Sequence, residues 1–220
     1  CSDKVETPIF IISLPRAGSS ILFELMAQKS GIRTTMFWEA VEPCPPPRTN
    51  SYNTDSRIKS TEDAIEAWNR IAPEMRSKHL VAPNVPVECI QIQSFSFVSA
   101  NLMYGTNDYI TRLSSADFIE SYKYHKRVLQ LLQSETDDKQ WLLKAPSHLS
   151  NIPELLTIYP DAKIVFIHRD PAKVLASTAS TMATIHAIFG SPFDQDAYFI
   201  FYSDVVREQL KSFSAFHSEL

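Results

Sequence analysis

PIFIISLPRAGSS, residues 8–20, is the stretch that decides the fold. Its first part, Pro8–Ser13, is a continuous apolar run, typical of a strand buried on both faces of a parallel sheet. The rest predicts a tight turn and a helix that begins at Ser19 or Ser20. An arginine, a glycine and two hydroxyls lie where a helix start leaves backbone amides unpaired, which predicts a site for phosphate or sulfate. The alternative is a capped helix beside a surface arginine, and the absent Gly-Lys-Ser/Thr ending excludes a Walker A loop.

Two more apolar runs, Trp141–Lys144 and Lys163–His168, predict strands that are each followed by a helix. This alternation predicts an α/β fold, a parallel β-sheet with helices on both faces. The chain has 220 residues, so we expect one domain over residues 1–220. Ligands of open parallel sheets bind beyond the carboxyl ends of the strands, so the three strand ends are expected to face one site.

Other parts of the chain predict further elements. Arg33–Trp38 is a candidate second strand, and Pro86–Ser96 fits either a strand or a helix. The proline-rich segment Pro43–Asn53 predicts a loop without regular structure, either a surface connection or a loop that covers substrate. Helices are predicted from Ser19 or Ser20 to Gly31, from the N-cap Thr61 to Leu80, over Asp117–Ser134, from Ser147 or Ser150 to Tyr159, and over Ala172–His186 and Asp194–Leu220.

Composition narrows the classes of function. The net charge is −4 and the pI is near 5.9, so we expect no nucleic-acid partner. Cys1, Cys44 and Cys89 are odd in number and lack the spacing of metal ligands, which predicts thiols in a reducing, cytoplasmic compartment and no metal. The apolar runs are too short for a membrane span.

A second arginine-bearing turn follows the strand predicted at Lys163–His168. In IHRDPAKVLAS, residues 167–177, Arg169 follows the strand and Ser177 lies two helical turns later. Alone, the segment fits an ordinary strand–turn–helix with Asp170 as N-cap. Arginine binds phosphate oxygens through paired hydrogen bonds, so two such turns in one sheet indicate a ligand with two separate anionic groups.

A lysine ends the strand in WLLKAPSH, residues 141–148. Burying the ammonium of Lys144 at a strand end is costly unless it meets an anion or a bound ligand. The alternative is a lysine whose charged end extends to solvent.

Together these segments resemble the sulfotransferases that use 3′-phosphoadenosine 5′-phosphosulfate (PAPS). LPRAGSS is similar to the family's 5′-phosphosulfate loop, HRDPAKVLAS to its 3′-phosphate motif, and WLLKAPSH to the strand-end lysine segment between them. The WE…CPPP segment and YKYHKRVLQLLQ are similar to the bacterial-type members. The resemblance covers about Pro8 to Phe189. It implies the P-loop-NTPase-like sulfotransferase fold, with PAPS as co-substrate and 3′-phosphoadenosine 5′-phosphate (PAP) as product.

The resemblance also implies roles for individual residues. Arg16 would stabilise the bridging oxygen as sulfur leaves, and Lys144 is predicted to act beside it. Arg169 and Ser177 would hold the 3′-phosphate. The residues expected to hold the 5′-phosphosulfate are Arg16, Ala17, Gly18, Ser19 and Ser20.

The acceptor's proton needs a base, and Glu39 is favoured, with His148 in support. Glu39 follows the first helix at a spacing similar to the catalytic glutamate of tyrosylprotein and some bacterial sulfotransferases, and His148 follows Lys144 much as a histidine does in cytosolic members. The alternative for Glu39 is an acid that caps a helix or lies on the surface. The alternative for His148 is a residue in the first turn of a helix that only lines the pocket. Glu88 and His125 are weaker candidates.

The expected acceptor is a hydroxyl or amine on a small or carrier-bound molecule. Aromatic residues could line its pocket or belong to the core: Phe37, Trp38, Phe95, Phe97, Tyr104 and Tyr109. The resemblance departs at the C-terminus, where the family's basic, glycine-containing segment over the nucleotide is not found. The alternative functions are a nucleotide or small-molecule kinase on a related fold, and a non-catalytic binding domain descended from a sulfotransferase.

Overall fold

A parallel sheet of four strands organises the part of the chain that the structure describes. This structure is a computed structural model, and it describes residues 4–74, 76, 81–99, 109, 112–113, 116–136, 139–188, 190 and 192–218. The strands lie in the order β2-β3-β1-β4. They are β1 (Ile9–Ser13), β2 (Ile32–Arg33), β3 (Gln140–Lys144) and β4 (Lys163–Ile167).

Eight α-helices are found in the described ranges, together with three short 3₁₀ segments. The helices are α1 (Ser19–Ala27), α2 (Phe37–Val41), α3 (Ser56–Ile71), α4 (Cys89–Gln93), α5 (Phe118–Gln133), α6 (Ile152–Ile158), α7 (Pro171–Ile188) and α8 (Gln195–Ser218). The 3₁₀ segments are Thr49–Thr54, Ser94–Ser96 and Pro146–Ser150. None of the helices described is both long and apolar enough to cross a membrane.

Helices cover both faces of the sheet. On one face Phe10 of β1 and Leu143 of β3 pack in a core with Leu129 of α5. On the other face Ile11 of β1 packs with Phe23 of α1. Neighbouring strand residues point to opposite faces, so a continuous apolar run is needed to bury both. The predicted α/β class is confirmed.

The register brings the ends of three strands to one edge. Ser13 at the end of β1 lies opposite Ile167 at the end of β4, and Lys144 at the end of β3 lies opposite Ile11. The segments that follow these strands therefore begin on the same side of the sheet.

The predicted strand Arg33–Trp38 is wrong beyond its first residue. β2 contains only Ile32 and Arg33, and a helix begins at Phe37. The Glu39 carboxylate accepts a hydrogen bond of 2.9 Å from the backbone amide of Met36, which satisfies a donor at the start of α2.

The predicted start of α3 is also wrong. Asp55, not Thr61, is the N-cap, and its carboxylate accepts a hydrogen bond of 3.0 Å from the amide of Arg57. Thr61 lies buried inside the helix. The helix ends at Ile71, and the predicted end at Leu80 lies outside the described residues.

The proline-rich segment is less irregular than predicted, because Thr49–Thr54 forms a 3₁₀ helix. The guanidinium of Arg57 donates to the carbonyl oxygens of Glu42 and Pro45 at 2.7 and 2.6 Å. These bonds attach the start of the loop to α3. The segment Pro86–Ser96, left open between strand and helix, contains α4.

Other helix predictions hold with shifted ends. Asp117 caps α5 through a bond of 2.8 Å to the amide of Ile119, as predicted, and α7 and α8 lie where the sequence places them. α6 begins only at Ile152, because the 3₁₀ segment Pro146–Ser150 occupies the predicted start. In α1 the apolar residues Ile21 and Leu25 are exposed, and Phe23 is the buried one.

Candidate functional site

The turn between β1 and α1 has the backbone shape of an anion-binding turn. Gly18 is the N-cap of α1 with φ of 91°, and Arg16 has φ of 62°. No side chain caps the helix, and its first turn contains no acidic residue. The start of α1 therefore presents backbone donors without a competing carboxylate in its own first turn, as an anion requires.

The second arginine-bearing turn contacts the first one. Arg16 donates from Nε to the hydroxyl of Ser177 at 3.2 Å. Arg169 donates from Nη1 to the backbone carbonyl of Arg16. Asp170 caps α7 by accepting a 2.9 Å bond from the amide of Ala172. The two segments predicted to bind anions thus contact each other, with both arginines exposed to solvent.

Lys144 connects this site to the segment before α4. Its side chain is only 3% exposed, and Nζ donates to the Ser20 hydroxyl at 3.0 Å and to the Glu88 carboxylate at 2.5 Å. The ring of Phe23 lies 5.9 Å from the ammonium. The charge is thus stabilised by a carboxylate and a hydroxyl, and its end does not extend into solvent.

Glu39 lies in a different network. Its carboxylate is fully buried and accepts 2.9 Å hydrogen bonds from Arg33 Nη2 and from the Met36 amide. The Tyr52 hydroxyl also bonds to it. Burial raises the pKa of Glu39 above its ordinary value, and the Arg33 guanidinium partly offsets that rise. Arg33 also donates to the carbonyl of Leu132 at 2.8 Å, so the structure places Glu39 beside β2 and α5.

His148 lies in the core, in a pair with Tyr122. The distance from its Nδ1 to the Tyr122 hydroxyl is 2.8 Å, and its ring packs edge-on against Phe10 at 5.1 Å. His125 makes the equivalent contact with Tyr159, also at 2.8 Å. Neither histidine is exposed to solvent.

Burial favours the neutral form of both histidines. Desolvation lowers the pKa of His125 to about 3, and it holds the pKa of His148 well below its ordinary value. The Nε2 atoms of both rings are buried and have no hydrogen-bond partner in the described part of the chain.

The aromatic residues predicted for the acceptor pocket differ widely in burial. Trp38 is fully buried, with Arg57 over its ring at 4.7 Å, whereas Phe95 and Phe97 are 48% and 84% exposed. The Tyr109 hydroxyl bonds to the backbone of Ser99. Phe37 is half-buried at the start of α2, and Tyr104 lies outside the described residues.

Two features of the site were missed or ranked low by sequence reasoning. The Arg33–Glu39 pair was not foreseen, although a glutamate inside an apolar segment is a signal for a buried partner. Glu88 ranked below Glu39, although a buried Lys144 calls for a counter-ion. Across the described ranges there is no group of three or more His, Cys, Asp or Glu side chains that could hold a metal.

Comparison with known proteins decides the family. The profile described as "Sulfotransferase family" matches residues 8–207. The chain belongs to the sulfotransferase family. All the residues of the two turns and Lys144 lie inside the matched range, and the predicted membership is confirmed.

Solved structures of bacterial sulfotransferases share this fold. Sulfotransferase STF9 from Mycobacterium avium superposes with a TM-score of 0.86 at 26% identity, over 99% of this chain and 57% of that chain. Sulfotransferase STF1 from Mycobacterium tuberculosis H37Rv superposes with a TM-score of 0.79 at 24% identity, over 99% and 60%. The chain therefore spans less than two thirds of the length of these structures. No curated protein sequence matches it.

Proposed function

We propose that this chain transfers the sulfuryl group of PAPS to a hydroxyl, or an amine, of a small-molecule or carrier-bound acceptor. The observation that carries the proposal is the joining of the two arginine-bearing turns through Arg16, Arg169 and Ser177. A donor with a 5′-phosphosulfate and a separate 3′-phosphate matches two adjoining anion sites. Family membership supports sulfuryl transfer as the reaction class.

Each turn has its own part of the donor to hold. The amides of Gly18, Ser19 and Ser20, with the Arg16 guanidinium, would bind the 5′-phosphosulfate. Ala17 would bring its backbone close to the same group. Arg169 and Ser177 would bind the 3′-phosphate through charge-assisted hydrogen bonds, which are stronger than neutral ones.

The reaction is an in-line displacement at sulfur. The acceptor oxygen forms a bond to sulfur as the bond from sulfur to the 5′-phosphate oxygen breaks, and the electron pair stays on that phosphate. Arg16 and Lys144 are the cations placed to stabilise the charge that develops there. Catalysis of this kind depends on positioning and on preorganised electrostatics, as in phosphoryl transfer.

The two bases favoured by the sequence have other surroundings. Glu39 is paired with Arg33 inside the protein, and His148 is paired with Tyr122 in the core, each without solvent exposure. We therefore propose that both stabilise the fold around the site. The acceptor's proton would go to a group nearer to Lys144.

Calorimetry with PAP and transfer from labelled PAPS to a panel of alcohols, phenols and amines test the proposal together. We expect PAP to bind the wild-type chain, and we expect Arg169→Ala to weaken that binding about 10- to 100-fold, as for loss of a charged hydrogen bond of roughly 1.5–3 kcal/mol. Failure of the wild-type chain to bind PAP would contradict the proposal. Binding without transfer to any acceptor would favour the non-catalytic binding domain, and metal-dependent ATP turnover would favour the kinase.

A further inference from the structure

Glu88 has a carboxylate that is connected through Lys144 to the turn between β1 and α1. Its Oε1 accepts from Lys144 Nζ, and the same ammonium donates to the hydroxyl of Ser20 in the first turn of α1. Glu88 is thus two hydrogen bonds away from the turn proposed to hold the 5′-phosphosulfate. It reaches that position as the residue immediately before α4.

Accessibility separates Glu88 from the other candidate bases. Its side chain is 18% exposed, whereas Glu39 and His148 are fully buried. Lys144 occupies Oε1, and Oε2 makes no hydrogen bond within the described part of the chain. One oxygen is therefore oriented by the ammonium and the other is available to an incoming hydroxyl.

We propose that Glu88 is the general base of the transfer, an inference that rests on the proposed function. The acceptor O–H proton passes to Glu88 Oε2 as the acceptor oxygen bonds to sulfur. The bond between sulfur and the 5′-phosphate oxygen breaks, and its electron pair remains on the phosphate of PAP. Lys144 orients the base through Oε1 and faces the leaving group through Ser20.

Glu88→Gln distinguishes a base from a counter-ion. The amide oxygen of glutamine still accepts the Lys144 hydrogen bond, but the side chain cannot take a proton. We expect PAP binding by calorimetry to be retained, and transfer to benzyl alcohol to fall about 10²–10⁴-fold. Transfer to 4-nitrophenol, whose hydroxyl is already acidic, should fall much less.

Glu208→Gln is the matched control, because Glu208 is an exposed carboxylate of α8 that pairs with Lys211. It should leave binding and transfer unchanged. Hydrolysis of PAPS by water is followed in parallel, so that the comparison does not depend on whether either acceptor fits. Water also has to lose a proton, so the same loss is expected in Glu88→Gln.

The outcomes separate the two levels of the proposal. If the wild-type chain binds PAP and transfers sulfate, equal losses with both acceptors, or a loss fully explained by weaker PAP binding, overturn the role of Glu88 and leave the proposed function intact. If the wild-type chain neither binds PAP nor cleaves PAPS, the proposed function fails and the assignment of Glu88 fails with it.

Discussion

Arg16 donates from Nε to the hydroxyl of Ser177 at 3.2 Å, although the two residues are 161 positions apart in the chain. The bond joins the turn after β1 to the first turns of α7. Both side chains belong to predicted anion-binding motifs, so the contact converts two local patterns into one site. The effects of substitutions on ligand binding can be predicted separately for the turn after β1, proposed to hold the 5′-phosphosulfate, and for Arg169 and Ser177, proposed to hold the 3′-phosphate.

The 3′-phosphate half is tested by ligand discrimination. Arg169→Ala removes a guanidinium that we assign to the 3′-phosphate and that also donates to the Arg16 carbonyl. The variant should therefore weaken binding of both nucleotides, and it should weaken binding of PAP more than that of 5′-AMP, which lacks the 3′-phosphate. Loss of a charged hydrogen bond worth roughly 1.5–3 kcal/mol should reduce the ratio of PAP affinity to 5′-AMP affinity about 10- to 100-fold. Calorimetry with both nucleotides measures the ratio. Arg207→Ala, which removes an exposed arginine paired with Asp204, should leave it unchanged. An equal loss of both ligands in Arg169→Ala would contradict the assignment.

The shape of the first turn is tested by Gly18→Ala. Gly18 has φ of 91°, and an added Cβ would meet no atom within 4 Å. The cost is therefore backbone strain of about 1–2 kcal/mol, without a steric clash. Gly31→Ala is a matched control, with φ of 81° and equally open space. Both variants should lose similar stability in urea unfolding, but only Gly18→Ala should weaken PAP binding. Equal binding losses would show that the effect is general destabilisation.

The buried ion pair predicts a strong effect of Glu39 on stability. Glu39→Gln leaves the Arg33 guanidinium, only 8% exposed, without its counter-charge. Breaking a buried pair from one side typically costs about 3–5 kcal/mol. The double variant Arg33→Met/Glu39→Met should be less destabilised than Glu39→Gln, because no buried charge remains. Urea unfolding measures all three chains.

Transfer kinetics give the complementary measurement on Glu39→Gln. If Glu39 supports the fold, kcat per folded molecule should fall by less than the roughly 10²-fold that loss of a general base causes. A larger loss with PAP binding intact would restore Glu39 as the base.

The two buried histidines predict a loss of stability in acid. Burial lowers the pKa of His125 to about 3, so below its unfolded pKa of about 6.5 the unfolded chain binds a proton that the folded chain does not. The free energy of unfolding then falls as the pH falls, by up to about 1.4 kcal/mol per pH unit for this group. His125→Gln should reduce the slope by that amount in urea unfolding at pH 4.5–6. His217→Gln, at an exposed position, is the control, and identical slopes in wild type and His125→Gln would contradict the prediction.

The two strand–turn–helix segments that contain Arg16 and Arg169 could be predicted from sequence because their signals are local. A continuous apolar strand, an arginine and a helix start lie within 13 residues in the first turn, residues 8–20. The sheet followed for a related reason, since strands buried on both faces are apolar at every position. The prediction of the short element at Arg33–Trp38 was wrong because a side-chain contact stabilises a helix there. The Glu39 carboxylate accepts a hydrogen bond from the Met36 amide at the start of α2, in a segment whose sequence resembles a strand.

The base could not be chosen from sequence, because burial and partners come from distant parts of the chain. Arg33, which pairs with Glu39, also donates to the backbone carbonyl of Leu132, 99 positions away in the chain. Lys144 pairs with Glu88, 56 positions away. Nothing near Glu88 in the sequence shows that contact. The position of the His148 ring could not be predicted from its neighbours in the sequence either. Lys144, four residues earlier, contacts Ser20 at the candidate site, whereas the His148 ring lies in the core beside Tyr122.

The carbonyl of Arg16 is held by a guanidinium that lies 153 residues later in the chain. During folding, the first turn therefore gains its full set of contacts only after β4 and α7 have docked against β1. A peptide that contains only residues 8–30 would have the whole motif but would lack the hydrogen bond from Arg169 to the Arg16 carbonyl. Affinity for the donor should accordingly appear late and cooperatively in refolding, together with the long-range order of the sheet.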